Sequence, residues 1–378
     1  MNTTNTYLAS KPHYEILDGL RGVAALMVIV FHFFETHAGG SHITQIINHG
    51  YLAVDFFFML SGFVIGYAYD DRWDRMSLAT FFKRRIIRLH PMVIMGSLVG
   101  AAFYYLQEAP CFPPIEHTTL GTMLLVMLLG CTLLPLPVKW DIRGWTEMHP
   151  LNGPAWSLYY EYIGNLLYAL FVRKFSKVAL TFLVVVAGCF TVYRCLTAPA
   201  GDIVGGWALT WEQQYVGLVR LMYPFFAGLL LSRLGWLIRL KKRAFWWCSL
   251  IIVVILSVPR IGGESHYWMN GLYESFCILF VFPVIVSMGA GGKVTGKHST
   301  AICKFLGDIS YPIYITHYPL IYIYTAWVSK NNISMTEGFP YLILILISAV
   351  ILAYACLKLY DEPLRRRLTD RFLKRKNI

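Results

Sequence analysis

Charge is scarce in this chain. Only 14% of its 378 residues are Asp, Glu, Lys or Arg, against about 25% in a soluble domain. With 57% hydrophobic residues and a mean hydropathy of +0.53, that scarcity excludes an ordinary soluble globule. Cysteines at metal-binding spacing are also missing. The eight cysteines are scattered singly, most of them inside apolar runs such as those around Cys131, Cys189, Cys277 and Cys356, so they point to packing and no metal is expected. No G-x-S-x-G occurs, which removes the soluble-type Ser-His-Asp site. No internal repeat, appended soluble domain or cleavable leader is evident. The first apolar segment follows a polar stretch of about seventeen residues and itself contains Arg21 and His32, so it reads as a first span.

What the chain does have is long apolar runs along its whole length. They predict an all-α polytopic membrane bundle, one domain over 1–378 with a basic tail at 361–378. Expected spans are about 19–37, 51–69, 88–106, 152–172, 178–196, 215–232, 244–259, 269–289, 305–328 and 339–360, with a further apolar run at 120–134. The net charge of +12 is not read as a nucleic-acid signal. Lys and Arg concentrate in 72–88, 173–177, 233–243, 293–304 and the C-terminal tail, and are absent from 38–50, 105–118 and 197–214. That is positive-inside bias with affinity for anionic lipid. It predicts ten spans with both termini cytoplasmic, provided that 120–134 makes no net crossing. This short run, followed by Pro135 and Pro137, suits a re-entrant or surface-lying element. Lys139 and Arg143 then fall outside, against the bias.

Six segments carry polar chemistry. In Leu17-Asp18-Gly19-Leu20-Arg21-Gly22 and the helix after it, Arg21 and His32 lie eleven residues apart. That is almost three turns, so they share one face roughly 16 Å apart along the axis. Charge there is costly in lipid and marks a site, or else a snorkelling anchor and a helix contact. In Gly50–Phe63, Asp55 stands at the outer end of the second span beside a phenylalanine cluster, as a buried acid or an interfacial cap. In Phe81–Pro91, Arg85 and Arg88 at i and i+3 form a fork for phosphates or mark topology. In Gly153–Tyr162, Trp156 precedes Glu161, whose carboxylate falls near mid-membrane and requires an Arg or His partner. In Leu306–His317, Ser310, Tyr314 and His317 share a face, and Pro312 and Pro319 kink the helix. Last, Tyr360-Asp361-Glu362-Pro363 closes the final span. There Glu362 either pairs with the inner arginines or only terminates the helix.

In this order, LDGLRG…FHF, GYLAVDFFFMLSGF, FFKRRIIRLHP, GPAWSLYYE, ISYPIYITH and DEP, the segments resemble acyltransferase family 3 over about 14–360. These are integral-membrane O-acyltransferases that modify bacterial surface glycans. The resemblance implies a ten-span bundle in the bacterial cytoplasmic membrane, here without the SGNH domain that many members carry. It also implies a cytoplasmic acyl-CoA donor, commonly acetyl-CoA, and a glycan or lipid-linked sugar acceptor. Matching positions are Arg21 and His32, Arg85 and Arg88, and Glu161.

On that basis Arg21, Arg85 and Arg88 are expected to hold the CoA phosphates. His32 is expected to act as base or acyl carrier, with Glu161 orienting it and His317 or a tyrosine binding the carbonyl oxygen. Trp140, Trp145, Trp207 and Trp211 hint at sugar stacking or an interfacial belt. The competing class is a transporter or polysaccharide-export component, for which broken helices and intramembrane charge are also suited.

Overall fold

The computed structural model describes residues 11, 13–240 and 243–373, and among these it contains fifteen α-helices and no strand. They are α1 (Glu15–His37), α2 (Ala53–Tyr69), α3 (Leu78–Phe103), α4 (Pro114–His117), α5 (Leu120–Thr132), α6 (Ala155–Leu170), α7 (Lys177–Thr197), α8 (Trp211–Leu234), α9 (Ala244–Ser257), α10 (Tyr267–Phe276), α11 (Phe282–Gly291), α12 (Lys297–Thr316), α13 (Tyr318–Asn331), α14 (Met335–Cys356) and α15 (Glu362–Phe372). Seven continuous helical runs among them are long and apolar enough to cross a membrane. The other three expected spans are the 16-residue α6, the 14-residue α9 and the α12–α13 pair. Starts follow local chemistry: Ser77, Thr119, Ser176 and Ser334 each accept a backbone N–H of the first turn, satisfying a donor that the helix itself leaves open.

Two helix pairs build the centre, α1 on α12 and α2 on α8. Apolar attraction is weak between helices in lipid, so close backbone approach must supply the packing energy. Small residues permit it. A Cβ on Gly62 would strike the carbonyl of Phe225, and one on Gly228 that of Met59, so α2 and α8 touch at reciprocal glycines.

Helix α5 runs antiparallel to α3 without a net crossing. The Tyr104 hydroxyl donates to Thr118 Oγ1 just before α5 begins, and Ser97 Oγ donates to the Met127 carbonyl further along. The chain then returns, and the Tyr104 hydroxyl also donates to the Ile142 carbonyl. The loop after α5 therefore brings the chain back to the end of α3 from which α5 set out.

The kink expected at Pro319 is a full break at His317, which divides the segment 305–328 between two helices. Pro319 has no N–H to give the Ile315 carbonyl, and the Asn152 side-chain amide donates to that carbonyl instead, at 2.9 Å. Contrary to one expectation, Glu362 does not end the last helix. The run Met335–Phe372 passes through a π-turn at Leu357–Asp361 and continues through Pro363 into α15.

Candidate active site

Two cavities open on opposite sides of the central helices. The first, of about 470 Å³, is lined by Arg21, Arg85, Arg88, Lys304 and Arg365. Arg85, 4% exposed, donates to Glu161 at 2.8 Å, and Ser61 Oγ donates to the same carboxylate oxygen at 2.9 Å. Arg21 approaches Asp18 at 3.6 Å. Arg88 and Lys304 make no ion pair among the described residues. Carboxylates line the same cavity, and Asp361 pairs with Arg365 at 2.8 Å, so Arg88 and Lys304 are the cations with hydrogen-bonding capacity left for an anion. At the rim His13 Nδ1 lies 3.2 Å from Asp18, and that carboxylate raises the imidazole pKa above its ordinary value. The Tyr311 hydroxyl donates to the Leu89 carbonyl at 2.6 Å, tying α12 to α3.

The second cavity, of about 620 Å³, holds His32, Glu35, Glu147, Arg220 and Tyr318 together with Trp145, Trp156 and Trp207. His32 Nδ1 lies 2.6 Å from Glu35 Oε2. Because a carboxylate only accepts, Nδ1 carries the proton and Nε2 is left as the basic nitrogen. The imidazole meets the Tyr318 ring edge-on at 4.6 Å and stacks over His317 at 5.7 Å. His317 Nδ1 sits 3.0 Å from the carbonyls of both Ile313 and Tyr314, so it too is the donor there. Its buried Nε2 has no partner.

Arg220, 2% exposed, donates to both oxygens of Asp55 at 2.7 and 3.3 Å, to the Tyr51 carbonyl at 2.7 Å and to the Gly205 carbonyl at 3.2 Å, with Trp156 over its guanidinium. Two long loops roof this cavity and are tied to each other, Met148 N donating to the Trp207 carbonyl at 2.8 Å. In the same roof the Tyr322 hydroxyl donates to Glu147 at 2.5 Å, and the Arg143 guanidinium lies 3.4 Å over the Tyr322 ring.

The sequence candidates are thus divided between two chambers. Arg21 and His32 lie on one helix but face different cavities. Glu161 is not beside His32 as expected; Arg85 claims it, and Glu35 takes its place. That partner stands three residues after His32 in His-Phe-Phe-Glu, a visible i,i+3 acid. Asp55 is a fully buried ion-pair member rather than an interfacial cap. Its partner Arg220 was legible as an arginine midway along the apolar α8. Ser310 Oγ donates back to the Gly307 carbonyl at 2.8 Å. Glu362 pairs with Lys358 at 2.5 Å and not with the inner arginines, although it lines the first cavity. Trp145 and Trp207 line the second cavity; Trp140 and Trp211 do not. Tyr314 borders both chambers, its hydroxyl 2.7 Å from Ser157 Oγ.

The family model described as "Acyltransferase domain" (Acyl_transf_3) matches residues 14–358. "Protein 2 in picA locus" of Rhizobium radiobacter is 34% identical over 164 residues, 41% of this chain and 80% of that protein. "Acyltransferase MdmB" of Streptomyces mycarofaciens is 24% identical over 326 residues, 81% of this chain and 78% of that one. "O-acetyltransferase OatA" of Staphylococcus aureus is 22% identical over 379 residues, 93% of this chain, which spans 57% of OatA. No solved structure matches. With its apolar helices and a family match over nearly its whole length, the chain belongs to the Acyl_transf_3 family and is a multi-pass membrane acyltransferase.

Proposed function

We propose that the chain moves an acyl group, acetyl in the first place, from cytoplasmic acyl-CoA to a hydroxyl of a surface glycan or lipid-linked sugar. The arginine-lined cavity faces the cytoplasm, with both termini on that side of a bacterial inner membrane. The His32 cavity faces outward. One observation carries this reading: a paired imidazole and carboxylate in one chamber stand back to back, across Tyr314, with unpaired cations in the other.

CoA is a polyanion, and Arg88, Arg21 and Lys304 fit its phosphates; Arg85 is already held by Glu161 and steadies the floor of that cavity. The thioester end reaches past Tyr314 toward His32. His32 Nε2 takes the proton of the acceptor hydroxyl as its oxygen attacks the thioester carbonyl. Glu35 holds the tautomer and stabilises the imidazolium, as the carboxylate does in a serine-hydrolase triad. The C–S bond breaks, and the same proton passes from His32 to the departing sulfur, giving an ester and free CoA. Tyr314 is better placed than His317 to hydrogen-bond the carbonyl oxygen, because His317 spends its N–H on backbone carbonyls and leaves Nε2 only to accept. Trp145, Trp156 and Trp207 offer flat faces to a sugar.

His32→Ala is expected to lower transfer of radiolabelled acetyl from acetyl-CoA into membrane material by about 10²- to 10⁴-fold, with CoA binding to the purified protein unchanged. Full activity of this variant would overturn the assignment. Comparing surface glycans and lipids by mass spectrometry, with and without the protein, names the acceptor.

A further inference from the structure

The two cavities share only two lining residues, Val54 of α2 and Tyr314 of α12. The two cavities therefore adjoin at these residues, and on the acyl-CoA reading the route from the arginines to His32 runs between them. Both of its sides are held. Tyr314 is fixed by the 2.7 Å contact with Ser157 Oγ, and its ring meets Phe57 edge-on at 5.3 Å. Val54 is 7% exposed and stands next to Asp55, whose bond to Arg220 pins α2 against α8 at that height. The reciprocal glycine contacts of Gly62 and Gly228 lie further along the same pair of helices. On the Val54 side α2 has no room to move back, since its backbone already touches that of α8. Close-packed interiors respond to added volume by strain rather than by yielding.

From this we infer that Val54 and Tyr314 form an acyl-selecting aperture, which discriminates among donors by the cross-section of the acyl group. The inference rests on the acyl-CoA reading above. In an acyl-CoA the phosphates stay with the arginines, so the acyl group leads and is the first part to meet the aperture. A linear acyl chain is no wider than the pantetheine arm behind it, and threads as that arm does. A group branched next to the carbonyl is wider at the point where the thioester must stop beside His32. Selection therefore falls on branching, and only weakly on length. Val54 supplies two methyl groups to the narrowest part, while Tyr314 supplies a ring edge that the Ser157 contact keeps in place.

Butyryl-CoA and isobutyryl-CoA have the same atoms and charge and differ only in branching, so the ratio of their transfer rates into membrane material reads the aperture alone. Val54→Ala is expected to raise the isobutyryl-to-butyryl ratio roughly tenfold, the scale at which one or two methyl groups are discriminated in an apolar pocket. The ratio of butyryl to acetyl transfer should change far less. Val54→Ile narrows the gap and is expected to move the isobutyryl-to-butyryl ratio the opposite way, so the test survives if one variant folds poorly. Retained CoA binding reports that each variant is intact. An unchanged isobutyryl-to-butyryl ratio in variants that bind CoA would overturn the aperture and leave the donor assignment standing. Absence of CoA binding by the unaltered protein would instead remove the donor assignment itself.

Discussion

In the His32 chamber the buried cations have carboxylates close by, Arg220 with Asp55 at 2.7 Å and Arg143 with Glu147 at 3.7 Å, whereas the other chamber sets the paired Arg85 and Arg365 beside Arg88 and Lys304, which have no such pair among the described residues. The contrast separates two uses of a charge inside a membrane protein. A neutralised pair holds backbone and loops in place and offers little net field to a ligand. An unpaired cation facing a cavity keeps its hydrogen-bonding capacity for an anion that arrives from outside, at the expense of stability while it waits. The chambers thus suit a neutral hydroxyl-bearing acceptor on one side and a polyanionic donor on the other.

The sharpest way to break the contrast is to strip a neutralising partner from the His32 chamber. Asp55→Asn leaves Arg220 buried with its charge uncompensated, and removing one member of a buried pair costs about 3–5 kcal/mol. A large fall in thermal stability in detergent is expected, with activity lost alongside it, because Arg220 also holds the Tyr51 and Gly205 carbonyls at the cavity wall. Replacing both members together, as Asp55→Leu with Arg220→Met, should recover much of the stability. If Asp55→Asn unfolds no more easily than the unaltered protein, the pair is not structural.

The opposite chamber predicts the opposite balance. Arg88→Ala removes a cation that has no ion pair to lose, so stability should hold or rise slightly. CoA affinity measured by calorimetry should fall roughly 10- to 100-fold, the scale of one charge-assisted hydrogen bond to phosphate, and the salt dependence of binding should weaken with it. Unaltered CoA affinity would mean that the open cation serves topology alone.

Much of this division was legible in the sequence, and the part that was not has a physical cause. Ten helical segments, the short 120–134 run and the basic and histidine ends of α1 follow from hydropathy and the distribution of Lys and Arg, which are properties of single segments. Which carboxylate meets which cation is a property of helix pairs. Glu161 was expected to need a cationic partner, but only the packing of α3 against α6 gives it to Arg85. Glu35 was available as the i,i+3 neighbour of His32, yet an acid one turn from a histidine near a helix end is common enough to be passed over. Arg220 required the converse step, asking of every buried acid where its cation is. The break at His317 depends on Asn152, which is distant in sequence and satisfies a carbonyl that Pro319 cannot.

The smallest effect is expected at the rim of the donor chamber, where His13 adds a charge only while protonated. Asp18 raises its pKa above the ordinary imidazole value, so the imidazolium is kept to higher pH than in a free imidazole and is lost as pH rises through that raised value. The sign follows directly: below the raised pKa the rim carries one more positive charge, and anion binding is favoured there. The side chain is 61% exposed, so solvent and salt screen most of the gain and a change of about twofold in CoA affinity is the expected scale. Phosphate monoesters lose their second proton near pH 6, so the raw pH slope mixes the ligand's titration with the protein's. The difference between His13→Gln and the unaltered protein isolates the imidazole, and dephospho-CoA, which lacks the monoester, checks the correction. The variant should bind more weakly than the unaltered protein at pH 6.5 and equally at pH 8.5. Equal binding at both values would place His13 outside the field of the donor site and leave the open cations as Arg88 and Lys304.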